Sequence, residues 1–207
     1  METQLTQSTH GTPVPDFSIR RARAEDAAEI ARLFLISSDG LASYIWSRLA
    51  RPGETIAETG AARYARTGVA FSYENCLLAL SDGAVVGMAH AFPMPPRAPH
   101  ESEDDPVLAP YAELEDAGSL YLSGLAVDAA HRGRGIGGEL MDHVEGLAIA
   151  SGCPRVSLIC FERNERAMAF YRRRGYREIG RRPIVPHPSL HYRDGDAVLL
   201  AGGGAAR

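Results

Sequence analysis

The stretch His131-Arg132-Gly133-Arg134-Gly135-Ile136-Gly137-Gly138 constrains this chain more than any other, because it sits between an apolar run, Leu120 to Val127, and a segment with apolar residues at helical spacing. A glycine-rich turn that leaves a strand and opens a helix is a ready anion cradle. The N–H groups of the first helical turn have no intrahelical partner and point outward with the positive end of the helix dipole. Glycine removes the side chains that would block a ligand's approach. The stretch therefore predicts a pyrophosphate site.

Around it the pattern alternates in mixed α/β order. Phe17 to Arg23 reads as an edge strand and Glu25 to Ser37 as a helix with Ile30, Leu33 and Phe34 on one face. A second helical region spans about Leu41 to Arg66, broken at Arg51-Pro52-Gly53. Cys76 to Leu80, the turn Ser81-Asp82-Gly83 and Ala84 to Phe92 form a predicted hairpin. Residues 93–119 read as a proline-rich, acidic insertion of the kind that often serves as a lid or binding loop. After the glycine turn a helix runs to about Ser151 with Ile136, Leu140, Val144, Leu147 and Ala148 inward, stopped by Gly152 and Pro154. Val156 to Phe161 is a strand, and a short helix follows with Asn164 as its natural N-cap. Tyr176 to Arg182 and Ala197 to Leu200 are the last strands, joined by a loop holding His187, His191 and Tyr192.

With 207 residues and 45% hydrophobic content, one core and one domain, residues 17–201, are expected, with tails at 1–16 and 202–207. No apolar run approaches membrane-spanning length and the start lacks a signal-peptide pattern, so a cytoplasmic protein with no membrane partner is expected. Cys76, Cys153 and Cys160 have neither paired nor metal-ligand spacing, so neither a disulfide framework nor a metal site is predicted. All 22 basic residues are arginine. Without lysine there is no Schiff base and no P-loop. Acids at 101–116 and eight arginines at 163–182 are ordinary solvated faces or, more sharply, an acidic mouth for a cationic acceptor and a basic rim for an anionic cofactor. Those arginines are offset by nearby acids and lack interleaved aromatics beyond Tyr171 and Tyr176, which argues against nucleic acid.

Gly133 to Gly138 also satisfies G-x-G-x-x-G, with Glu162 placed where a dinucleotide fold carries its ribose acid. A Rossmann turn follows its strand closely, however, whereas Asp128 to Arg132 intervenes here. Only about 45 residues follow Glu162, too few for the remaining βα units. An oxidoreductase is disfavoured.

Three features occur together in order: the strand ending Leu125-Ala126-Val127-Asp128, the turn Arg132-x-x-Gly135-x-Gly137, and Asn164-x-x-Ala167-x-x-x-Tyr171-x-x-x-Gly175-Tyr176. In these the chain resembles the GNAT superfamily of N-acetyltransferases, which move an acetyl group from acetyl-CoA to an amine. The resemblance implies a mixed α/β fold with a central, mostly antiparallel sheet of about seven strands, its middle strands splayed, flanked by about four helices. It implies that the backbone of Arg132, Gly133, Arg134, Gly135, Ile136, Gly137 and Gly138 binds the pyrophosphate, with Arg132 and Arg134 adding charge. Leu125, Ala126 and Val127 would pair with the pantetheine arm as with another strand, and a backbone N–H of Leu125 or Ala126 would meet the oxyanion. Asn164 would face the arm, and Tyr171 would protonate the departing thiolate as general acid.

The family's usual strand glutamate is missing: the corresponding stretch is Tyr121-Leu122-Ser123-Gly124. Glu113, Glu115, Asp116, His90, Glu162, His187, His191 or water remain as candidate general bases. Ser38, Tyr44, Trp46, Glu113 and Tyr192 are candidate acceptor contacts. A small-molecule amine is the expected partner and a homodimer is compatible by analogy. A protein amino terminus or lysine as acceptor, and a CoA-binding module without catalysis, stay open as alternatives.

Overall fold

The computed structural model describes residues 16–96 and 103–203, so most of both expected tails and the middle of the insertion lie outside the described residues. Seven strands form one sheet in the order β1-β2-β3-β4-β5-β7-β6: β1 Ser18–Arg21, β2 Cys76–Ser81, β3 Ala84–Pro93, β4 Leu120–Val127, β5 Val156–Phe161, β6 Arg177–Pro183 and β7 Asp196–Gly202. Every neighbouring pair is antiparallel except β4 with β5. Among the described residues there are six α-helices: α1 Ala27–Ser37, α2 Leu41–Leu49, α3 Ile56–Tyr64, α4 Ala109–Ala112, α5 Ile136–Ala150 and α6 Glu165–Arg173.

These are two more than the four or so expected, one from the break in 41–66 and one inside the insertion. The region 41–66 divides because Pro52 and Gly53 interrupt it and Thr55 then starts a new helix with a capping box, its Oγ1 accepting from Glu58 N while Glu58 accepts from Thr55 N. The single turn α4 lies inside the proline-rich insertion, where it carries too few residues to show a period.

Side-chain alternation assigns the two faces. On β2, Leu77 and Ala79 join a core with α5 and α6, while Cys76 and Leu78 join another with α1, α2 and α3. The β2–β3 hairpin closes through Asp82 and Gly83, both at positive φ, which is the turn geometry whose twist matches the strands. A third cluster, containing Phe161, Ile184, Leu190 and Leu199, ties the last loop to the sheet and to α2 through Tyr44.

β4 and β5 are registered only at Leu120 with Val156 and Tyr121 with Ser157. That end is pinned by a buried Ser119–Ser157 hydroxyl bond at 2.6 Å and by Arg155 donating twice to the buried Asp116 carboxylate at 2.6 and 2.7 Å. Beyond it the strands diverge, and the gap is a cavity of about 750 Å³.

On the α1–α3 side, Gly60 of α3 meets the ring of the fully buried Trp46: a Cβ at 60 would lie 2.2 Å from the indole. Replacing Gly60 by alanine should recover about 1 kcal/mol of helix propensity but cost more in displaced packing. A net loss of about 1–2 kcal/mol is expected in urea titration, read by the fluorescence of this sole tryptophan; an unchanged midpoint would show that α3 can move aside.

Candidate active site

The glycine turn forms the floor of one end of the cavity. Gly133 and Gly135 sit at φ +81° and +86°, where an L side chain is strained, and Gly135 starts α5 with no side-chain cap. Gly137 and Gly138 lie inside the first turn, where each glycine costs helix stability, yet a Cβ there would meet protein atoms only at 3.8 Å or more. The space they leave is therefore not needed by the protein's own packing. Together with the uncapped N–H groups this fits a phosphate-bearing ligand. Arg132 Nε donates to Val127 O at 2.9 Å, tying the turn to the end of β4.

The strand edge supplies the second part. Leu125, Ala126 and Val127 line the cavity with main chain that β5 does not pair. Across the gap Tyr171 of α6 is buried, and its hydroxyl bonds to nothing among the described residues. Burial pushes its pKa up, with Cys160 and Asp39 adding to the effect, so the phenol holds its proton. The Cys160 thiol also lines the cavity, but burial pushes it up to about 12. A neutral thiol so held is a poor nucleophile.

Ser123 occupies the bulge of β4: His90 pairs with Gly124 and Ala91 with Leu122, leaving Ser123 without a β3 partner. Its hydroxyl is 2.5 Å from His90 Nδ1. His90 Nε2 lies 2.9 Å from the Ala70 carbonyl, which can only accept, so Nε2 carries the proton and Nδ1 accepts from Ser123 and Tyr64. The ring is fully buried among Phe34, Tyr64, Phe71 and Phe92, and that burial pushes its pKa down to about 4. His90 is thus a neutral acceptor behind Ser123, too weak to take a proton from an ammonium group.

Among the described residues Asp39 is the single carboxylate lining the cavity. It lies in the bend between α1 and α2 at φ +48°, and Gly40 beside it packs so closely on Ser189 that a Cβ would lie 2.0 Å from the Ser189 carbonyl oxygen. His191 N donates to Asp39 O at 2.9 Å, and His191 Nδ1 is 3.6 Å from Asp39 Oδ1. Asn164 fixes the other side: its Oδ1 caps α6 by accepting from Ala167 N, and its Nδ2 donates to Asp39 Oδ2 at 2.8 Å. Burial raises the Asp39 pKa, only partly opposed by Asn164 and His191.

The remaining candidates separate by position. Arg132, Gly133, Gly135, Ile136, Gly137, Gly138, Leu125, Ala126, Val127, Asn164 and Tyr171 line the cavity, as do Ser38, Trp46 and Tyr192. Arg134 does not; its guanidinium is paired with Asp16. Glu113, Asp116 and Glu162 lie outside the lining, engaged with Arg182, Arg155 and Arg181, and Glu115 is exposed outside it. Tyr44 spends its hydroxyl on Asp105 and meets the His187 ring edge to face, both away from the lining. The described part of the acidic run is therefore largely committed to partners within the fold. Asp39 escapes sequence reading because Ser38-Asp39-Gly40 looks like any helix-ending turn and its partner Asn164 is 125 residues away.

Residues 43–176 match the acetyltransferase (GNAT) family, and the chain belongs to it. Similar solved structures include one titled simply an acetyltransferase (22% identity, TM-score 0.62, covering 89% of this chain and 97% of that one). An N-acetyltransferase from Staphylococcus aureus Mu50 is 20% identical at TM-score 0.59, covering 89% of this chain and 100% of that one. Arabidopsis thaliana Naa50 in complex with the bisubstrate analogue CoA-Ac-MVNAL is 19% identical at TM-score 0.52, covering 90% and 98%. At these identities the structures establish the shared fold.

His90 gives a stability test. The unfolded chain takes up this proton near pH 6.5 and the folded chain near 4, so between those values the unfolded state binds more protons and stability falls as pH drops. From pH 7 to pH 5 the loss from this group is about 2 kcal/mol. Urea titrations at both pH values should show the parent losing that much more than His90→Gln; parallel losses would refute the assignment of a neutral His90.

Proposed function

We propose that the protein transfers an acetyl group from acetyl-CoA to the primary amine of a small molecule by direct attack on the thioester. The observation that carries this is one cavity joining an uncapped, glycine-lined helix start, an unpaired strand edge and a protonated, unbonded phenol. The turn from Arg132 to Gly138 would hold the pyrophosphate, with Arg132 rather than Arg134 at hand, and Leu125 to Val127 would pair with the pantetheine arm. Asn164 lines the same slot, but its amide is spent on the helix cap and Asp39, so its role is to hold Asp39.

Acetyl-CoA supplies the electrophile. The amine nitrogen forms the new bond to the thioester carbon, and the C–S bond breaks. A backbone N–H of Leu125 or Ala126 stabilises the oxyanion, and Tyr171 protonates the departing sulfur. Entering as an ammonium ion, the amine sheds two protons through Asp39 to solvent, one before attack and one after the new bond forms; the phenol takes one back from solvent, for a net release of one proton. The high pKa of Cys160 supports direct transfer over an acetyl-cysteine intermediate. The packing of the Ser189–His191 loop on Asp39 and Gly40 supports a small acceptor over a polypeptide, since it covers the bend that carries the carboxylate.

Thiol release from acetyl-CoA with a library of amines tests the activity. Tyr171→Phe should lower kcat by about 10²- to 10⁴-fold with acetyl-CoA affinity unchanged. Tight cofactor binding without release in any amine would instead favour a non-catalytic module. Asp39→Asn keeps the Asn164 contact within reach of an amide and should lower kcat/KM for the amine by about 10- to 100-fold, leaving the KM for acetyl-CoA in place; a shift confined to acetyl-CoA would remove Asp39 from the acceptor side.

A further inference from the structure

Among the described residues Arg63 is the one arginine of the cavity lining that comes from neither the glycine turn nor α6. The other arginines in the lining, Arg132, Arg166 and Arg173, belong to the glycine turn and α6, whereas Arg63 projects from α3. It lies one helical turn beyond Gly60, whose bare backbone rests on Trp46, so the same face of α3 that meets the indole carries the guanidinium. The group stands over the Phe71 ring, 5.7 Å from its centroid. Its Nε is buried and has no hydrogen-bond partner, and no carboxylate among the described residues pairs with it. Burial and the charge of Arg66 lower its pKa, yet arginine remains charged at any working pH.

A partly buried, unpaired guanidinium is costly, and folded proteins normally match such a charge with an anion. The surfaces near it, Phe34, Trp46 and Phe71, offer none. Phe71 meets the positive charge with its ring but has no acceptor for the guanidinium N–H donors, which it leaves without a hydrogen-bond partner. A planar fork of this kind matches a carboxylate through two parallel hydrogen bonds. One guanidinium carries one charge, which suits a monoanion better than a phosphate. The opposite charge, Asp39, lines the same cavity and is not paired to Arg63, so an acceptor with separate cationic and anionic groups would satisfy both.

We infer that the acceptor is an amino acid or a closely similar aminocarboxylate, its carboxylate held by Arg63 and its amine presented at Asp39, with the aromatic lining favouring an apolar side chain. This rests on the acetyltransferase reading and narrows its substrate class.

The test is thiol release from acetyl-CoA with L-phenylalanine, L-leucine and a wider set of L-amino acids, each beside its decarboxylated amine and its methyl ester. At least one acid should exceed both neutralised counterparts by about 10- to 100-fold in kcat/KM. Arg63→Met should erase that preference by raising the KM of the acid while leaving kcat with the decarboxylated amine and the KM for acetyl-CoA unchanged, and Arg63→Lys should restore part of it. Quenching of Trp46 by the same acids, without acetyl-CoA, should likewise be lost in Arg63→Met. A preference for the amine or the ester, or an acid preference that survives Arg63→Met, overturns the inference. So does failure of every amino acid while acetyl-CoA is bound and other amines are turned over. Failure to bind acetyl-CoA at all would instead sink the acetyltransferase reading beneath it.

Discussion

Two parallel strands that stay together for only two residues and then part are the constraint on which the rest of the structure depends. Were β4 and β5 paired along their whole length, the main-chain groups of Leu125 to Val127 would be satisfied within the sheet and no slot would exist. The closed end needs strong fastening because it bears the whole junction, and it has it in Ser119–Ser157 and Asp116–Arg155. The open end exchanges sheet hydrogen bonds for a binding surface. Ser123, bulged out of register with β3, marks where the strand turns from scaffold to site.

Around that opening the fold gathers groups whose ordinary chemistry has been altered by burial. Tyr171 and Cys160 hold their protons, His90 is deprived of one, and Asp39 is pushed toward neutrality. The common cause is loss of water. The effect differs because each group has a different neutral form: a phenol becomes a durable donor, a thiol becomes inert, and a histidine becomes a fixed acceptor for a serine hydroxyl. Among the described residues Asp39 and Arg63 are opposite charges in the lining of one cavity with no ion pair between them, and they reach it from the α1–α2 bend and from α3.

Much of the fold and half of the site were legible in the chain. The alternation of Leu77 and Ala79 against Cys76 and Leu78, the Asp82-Gly83 turn and the glycine-rich start of α5 are local patterns, and local sterics decide them. The cap at Asn164 is equally local, since Ala167 is three residues away. Its second bond, to Asp39, is not. Nothing near Asp39 distinguishes it from the other acids among the chain's 26, and nothing near Arg63 distinguishes it from the other arginines among its 22. The acidic run at 101–116 illustrates the reverse: conspicuous as a string of letters, it is largely absorbed by Tyr44, Arg155 and Arg182 once the chain is folded.

The sequence by itself determined the order of elements, the glycine-lined helix start, the placement of Tyr171 one strand and one helix downstream, and with them the family. These follow from periodicity, φ preference and capping, which act over a few residues. Tertiary structure alone decided which charges face the cavity: Asp39 from the α1–α2 bend and Arg63 from α3 enter, while Arg134, Glu113, Asp116 and Glu162 are turned to partners elsewhere. The reason is that pairing a charge needs groups far apart in the chain that only folding brings together: Arg134, Glu113, Asp116 and Glu162 find ion partners, whereas Arg63 has none among the described residues.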